Sequence, residues 1–155
     1  LQDGWLYAMH DTITTAHLAP QHDIPNHTTA IASYCHALRG ATIVAANEPE
    51  AIYGATRELL TLLRERNEMP IDCIASAFFT VTPDIDAAFP AKAARQLGWK
   101  DVALLCATEI PVPGALTACI RVLLHFNANR PRHTYVGVYI HGAESLLGDQ
   151  DDAER

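Results

Sequence analysis

Within LLCATEIPVPGALTACIRVLLHF, residues 104–126, an arginine stands among apolar side chains. A guanidinium stays charged at physiological pH and is costly to bury unless an anion or several acceptors meet it. Arg121 therefore calls for a partner. Glu109, beside the Pro-Val-Pro-Gly turn, supplies a carboxylate close in sequence. The two residues alone leave two readings open: an ion pair that only satisfies itself, or a charge kept for a ligand. Other polar groups near predicted element ends favour the ligand. Arg39 precedes the first predicted strand, Lys92 and Arg95 follow Phe89 at i+3 and i+6, and Tyr135 lies in the last predicted strand. Together they suit a small anion, although Lys92 and Arg95 taken alone are also explained by a solvated basic face.

These groups need elements to hold them. ATIVAA, residues 41–46, reads as a strand. A helix follows, with Asn47 as N-cap, Glu50 in capping-box position and Pro49 in the first turn. Ile52, Ala55, Leu59, Leu62 and Leu63 form its apolar stripe, and Arg57, Glu58, Arg64, Glu65 and Arg66 its wet face. IASAFFTV, residues 74–81, is a second strand closed by the turn-prone TPD. A short helix is expected over 90–97, ended by Gly98, and a third strand over 102–108. Leu116, Cys119, Ile120, Leu123 and Leu124 surround Arg121 and predict a second long helix from Gly114 to about Asn127. TYVGVYI, residues 134–140, is the fourth strand. The alternating order gives an α+β chain, a mixed β-sheet packed with helices.

Residues 1–36 read differently, with scattered Pro and no sustained period, and are expected to form a flexible extension. They carry His10, His17, His22, His27 and His36. Spacings of five to seven between the first four do not put these rings on one helical face, so a polar arm is expected rather than a metal site. One domain over 37–148 and a solvated tail over 149–155 complete the division.

Composition limits the function classes. A formal charge of -7 excludes a general nucleic-acid surface, which needs clustered Lys and Arg. Cys35, Cys73, Cys106 and Cys119 contain no Cys-x-x-Cys pair, which argues against a zinc site or a disulfide framework. No apolar run reaches the roughly 18 to 20 residues of a membrane span. The first 38 residues hold no Lys or Arg, unlike a secretory signal or an organelle presequence, and a cytoplasmic protein is expected.

Five segments in order, RGAT at 39–42, TPDIDAAFPAKAAR at 82–95, CATE at 106–109, GALTACIRV at 114–122 and RHTYV at 132–136, resemble the small monofunctional chorismate mutases of bacteria. The resemblance implies a homotrimer whose mixed sheets assemble into a pseudo-α/β barrel, with active sites in clefts between subunits and no cofactor or metal. It implies that Arg39 and Tyr135 hold a substrate carboxylate. Phe89, Ala91, Lys92 and Arg95 would form the wall supplied across the subunit boundary. Cys106 and Glu109 would sit near the ring hydroxyl, and Arg121 would donate to the ether oxygen of the breaking bond. The chain departs from the family pattern in a loop one residue shorter after Arg95, in Gly142 where an apolar Leu is expected, and in its N-terminal arm. The arm and the change at Gly142 leave room for a mutase acting on a modified chorismate, and the same cations also suit a second alternative, a non-catalytic trimer that binds a small dianion.

Overall fold

The computed structural model describes residues 33–150. Most of the expected N-terminal extension, including His10, His17, His22 and His27, lies outside the described residues, as does the tail from 151. Five strands and two helices follow one another: β1 (Tyr34–Ile43), α1 (Pro49–Arg66), β2 (Ile74–Val81), α2 (Pro90–Gln96), β3 (Ala103–Thr108), β4 (Cys119–Ala128) and β5 (Val138–Ile140). Short 3-10 turns cover Ile71–Cys73, Arg132–Thr134 and Ala143–Gln150.

The strands form one sheet in the order β3-β2-β4-β1-β5. β4 runs antiparallel to both β1 and β2, while β3 is parallel to β2 and β5 to β1. The crossover β1-α1-β2 therefore leaves a gap of one strand, which β4 later fills. Both helices lie on the same face. Leu38, Ile74, Phe79, Ile120, Val122, Leu124 and Phe126 point from the sheet into a core with Ile52, Leu59, Leu60 and Leu63 of α1 and Ala94 of α2. Gly40 lets α1 approach: a Cβ there would lie 2.9 Å from both the Leu63 Cδ1 atom and the Val138 carbonyl oxygen.

Within 114–127 the structure differs from expectation. The predicted helix is the central strand β4, and Arg121 is a strand residue. The apolar positions that suggested a 3.6-residue period belong to two faces of a strand. Ile120, Val122, Leu124 and Phe126 are buried under the helices, and Arg121, Leu123 and His125 are half-buried on the other side. A strand flanked on both edges and apolar on both faces reads as a continuous hydrophobic run, which periodicity alone does not separate from a buried helix.

Smaller differences have local causes. β1 begins at Tyr34 and ends at Ile43, earlier than the 41–46 expected, and β5 keeps only three residues because Arg132–Thr134 forms a 3-10 turn. The α1 cap is Glu48, with no side-chain cap hydrogen bond. Asn47 is used instead to tie down the segment before α2: its Nδ2 donates to Asp86 Oδ1 at 2.8 Å, and its Oδ1 accepts from the Asp86 and Ala87 N–H groups.

Candidate active site

Antiparallel partners share a face of the sheet, so the register fixes which side chains meet away from the helices. Arg121 is opposite Ala41 on β1 and Thr80 on β2, and Leu123 is opposite Arg39 and Phe78. With Glu109, Ile110 and Val112 from the segment after β3, and Tyr139 from β5, these residues line a cleft of 680 Å³. Arg39, Glu109 and Arg121, far apart in sequence, thus reach one cavity.

Glu109 sits at the centre of this group. Its N–H donates to the Val81 carbonyl at 2.9 Å, which fixes the backbone just beyond β3. Its Oε1 accepts a hydrogen bond of 2.5 Å from the Thr80 hydroxyl and lies 3.2 Å from Arg121 Nε. The Nε hydrogen is not aimed along that approach, so the contact is ionic without a formed hydrogen bond. Only 14% of the Glu109 side chain is exposed, against 38% for Arg121. The carboxylate is thus the fixed member and the guanidinium reaches into the opening. Beneath it lies the fully buried Cys119. Burial pushes that thiol up from its ordinary pKa, opposed by the Arg121 guanidinium.

The start of β4 is braced on both sides. The Cys119 N–H donates to Thr82 Oγ1 at 2.9 Å, the Ala118 N–H to Asp84 Oδ2 at 2.7 Å, and the Val44 N–H to the Ala118 carbonyl at 2.7 Å. Ala118 adopts a φ of 51°, a left-handed conformation that an L-residue holds only when its neighbours impose it. The hydrogen bonds from Thr82 and from the Ala118 N–H hold the Asp84 carboxyl below the ordinary carboxylate range. Thr82 and Asp84 therefore set where Arg121 emerges.

Tyr135 does not line this cleft. It faces an adjoining cavity of 360 Å³ that shares Arg39, Leu123 and Tyr139 with the larger one and adds Arg132. Its ring packs edge-on against Phe126, with centroids 4.8 Å apart, tilts against His36 at 5.1 Å, and carries Arg130 over its face at 5.1 Å. Asn67, just past α1, holds the next residue much as a strand would: its Oδ1 accepts from the Val136 N–H at 2.8 Å and its Nδ2 donates to the Val136 carbonyl at 3.0 Å.

The remaining predicted residues form a second group at the α2 and β3 edge. Phe89 is 74% exposed. Lys92 places its ammonium 5.0 Å from the centroid of the Tyr53 ring, and Arg95 Nη1 donates to the Trp99 and Lys100 carbonyls. Cys106, opposite the buried Phe79, points toward α2, where the N–H of Ala91 faces its sulfur. Burial raises the Cys106 thiol pKa, which keeps it protonated and a poor nucleophile. Within one chain, Cys106 faces α2 while Glu109 lines the larger cavity, and no contact joins the two. Cys106 travels with Phe89, Ala91, Lys92 and Arg95.

Three contributors are missing from the sequence reading. Thr80 and Asn67 carry no signal until strand register and helix end are known. Tyr139 falls in the last predicted strand, but the sequence does not show which face it takes. Among the described residues no group of His, Cys, Asp and Glu is arranged to hold a metal ion, and no helix is long and apolar enough to cross a membrane.

The known proteins to which this chain is similar agree with one another. The chain is 45% identical over 118 residues to the chorismate mutase AroH of Thermus thermophilus, covering 76% of this chain and 97% of that protein. It is 36% identical over 113 residues to the chorismate mutase AroH of Bacillus subtilis, covering 72% and 89%. A solved chorismate mutase from Clostridium thermocellum superposes with a TM-score of 0.70 at 47% identity, over 72% of this chain and 99% of that one. The family model for chorismate mutase type I matches residues 35–150, essentially the whole of the described sheet and helices, and the chain belongs to that family.

Proposed function

We propose that the chain rearranges chorismate to prephenate in a cleft completed by a neighbouring copy of itself. The activity follows from family membership; the division of labour among residues, the assembly and a cytoplasmic location are our reading. The observation that carries it is the Thr80–Glu109–Arg121 arrangement, which holds one guanidinium in the same cavity as Arg39 on the sheet face turned away from the helices.

The rearrangement is pericyclic and needs no nucleophile and no proton transfer. The protein has two tasks. It holds the flexible enolpyruvyl arm over the ring, and it stabilises the negative charge that grows on the ether oxygen as C–O cleavage runs ahead of C–C formation. Arg121 is placed for the second task, with Glu109 fixing its Nε side and Thr80 fixing Glu109. Arg39 is placed to receive a carboxylate, and Tyr135, in the adjoining cavity, to hydrogen-bond it. Cys106 acts by packing and not as a nucleophile.

Phe89, Ala91, Lys92 and Arg95 lie outside both cavities in the single chain. They contribute if α2 and β3 of one copy close the cleft of the next. Phe78 and Leu105, opposite each other on β2 and β3 on the face turned away from the helices, are exposed, as expected of a surface that a partner covers. Closure of three such sheets gives the trimeric pseudo-barrel. Incubating the purified chain with chorismate and following prephenate formation tests the activity, while sedimentation at the assay concentration tests the assembly. Turnover by a species that sediments as a monomer would overturn the shared cleft.

A further inference from the structure

Among the described residues, the seven arginines other than Arg121 differ in how their side chains are satisfied. Arg57 donates to Gln96, Arg64 to the Met69 carbonyl, Arg95 to two carbonyls, and Arg130 pairs with Glu68. Arg66 lies on the last turn of α1, where cations suit the helix end. Arg39 and Arg132 are different. Among the described residues neither guanidinium has a hydrogen bond or an ion pair, yet both residues line the 360 Å³ cavity, which no carboxylate lines. Two cations around a small cavity in a chain of net charge -7 are an arrangement that an anion completes.

We propose that Arg132 is a second arginine for the substrate carboxylate that Arg39 receives, and that it sets affinity and capture without contributing to the chemical step. This rests on the mutase reading above. The smaller cavity adjoins the larger through Arg39, Leu123 and Tyr139, so a carboxylate at Arg39 lies at the boundary that Arg132 faces from the other side. The turn that carries Arg132 is closed by the Thr134 N–H to the Pro131 carbonyl at 3.0 Å, the Thr134 hydroxyl to the same carbonyl at 2.7 Å, and the Tyr135 N–H to the Arg132 carbonyl at 3.2 Å. Arg132 and Tyr135 are thereby set relative to each other by three short-range hydrogen bonds. Arg121, with its own carboxylate, lines only the larger cavity. Binding of the carboxylate and stabilisation of the ether oxygen are therefore assigned to different arginines.

The test is steady-state kinetics of the full chain carrying Arg132→Gln or Arg132→Lys, with chorismate as substrate at several ionic strengths. Arg132→Gln is expected to raise KM roughly tenfold, the scale of one lost charge-assisted contact, with kcat within about twofold. Its KM should also depend less on salt, because a long-range attraction has been removed. Arg132→Lys should recover most of the loss. An unchanged KM and salt dependence in Arg132→Gln overturns the proposal, and so does a fall in kcat at constant KM. If Arg132→Gln unfolds, Arg132→Lys decides by the same two readouts: a KM shifted by less than about tenfold with wild-type kcat supports the proposal, and a lower kcat at constant KM overturns it. Failure of the underlying reading looks different, because the unmodified chain would then form no prephenate.

Discussion

One sheet in this protein has two unlike faces. Under α1 and α2, side chains from β1, β2 and β4 are fully buried and almost wholly apolar. On the other side, alternate residues of the same strands carry Arg39, Thr80, Arg121 and His125, with exposed Phe78 and Leu105. β4 shows the contrast within one segment: Leu124 is buried in the core, while Arg121 and Leu123 line the cleft. Because successive side chains alternate across a strand, a single residue step separates folding from function. Along residues 121–124 of β4, stability and activity should therefore be separable by residue parity.

The largest expected effect is at Arg121. Removing a preorganised donor to a developing charge lowers turnover by roughly 100- to 1000-fold, so Arg121→Ala should lose at least that in kcat while its unfolding midpoint stays near that of the unmodified chain. Arg121→Lys should recover only part, since a point charge does not reproduce the planar fork. Near-normal turnover in Arg121→Ala would remove the residue from the mechanism.

Leu124→Ala tests the opposite face. Truncating a fully buried leucine costs about 3 kcal/mol, read by denaturant unfolding, and turnover per folded molecule should stay within a few-fold. A variant that keeps its stability but loses turnover would erase the distinction between the faces.

Asn67→Ala probes the junction. It leaves the Val136 N–H and carbonyl without their partner, and about 1 to 3 kcal/mol of stability should be lost. Because Val136 adjoins Tyr135, KM should rise with it; a stability loss at constant KM would show that Tyr135 does not depend on this anchor. The smallest effect is expected at Cys106, where Cys106→Ser should retain substantial activity. A complete loss in a folded protein would make the thiol more than a packing group.

Local chemistry in the sequence carried much of this arrangement. β2 falls on the segment expected from its small and aromatic residues, and α1 and α2 begin at Pro49 and Pro90, which are suited to a first turn. Arg39, Glu109 and Arg121 reach one cleft, as their types suggested. The strand β4 was not legible, because its two faces are covered for different reasons and together imitate a helical stripe. Asn47 satisfied a capping pattern but is held by the loop before α2, a contact 39 residues away that no local rule contains. The separation of Cys106 from Glu109 was likewise hidden. Cys106 turns toward α2 only once β3 is known to be a strand, while Glu109 lies just beyond its end and lines the cleft.

Gly137 has a consequence for how this site can change. A methyl group there would sit 2.8 Å from the Arg39 carbonyl oxygen and 3.0 Å from the Tyr139 ring. Position 137 is thus closed to variation: any side chain would wedge the last strand off its neighbour and displace the arginine common to both cavities. Mutational retuning of the wall between them must come through the residues at 123 and 139, whose side chains already occupy that wall.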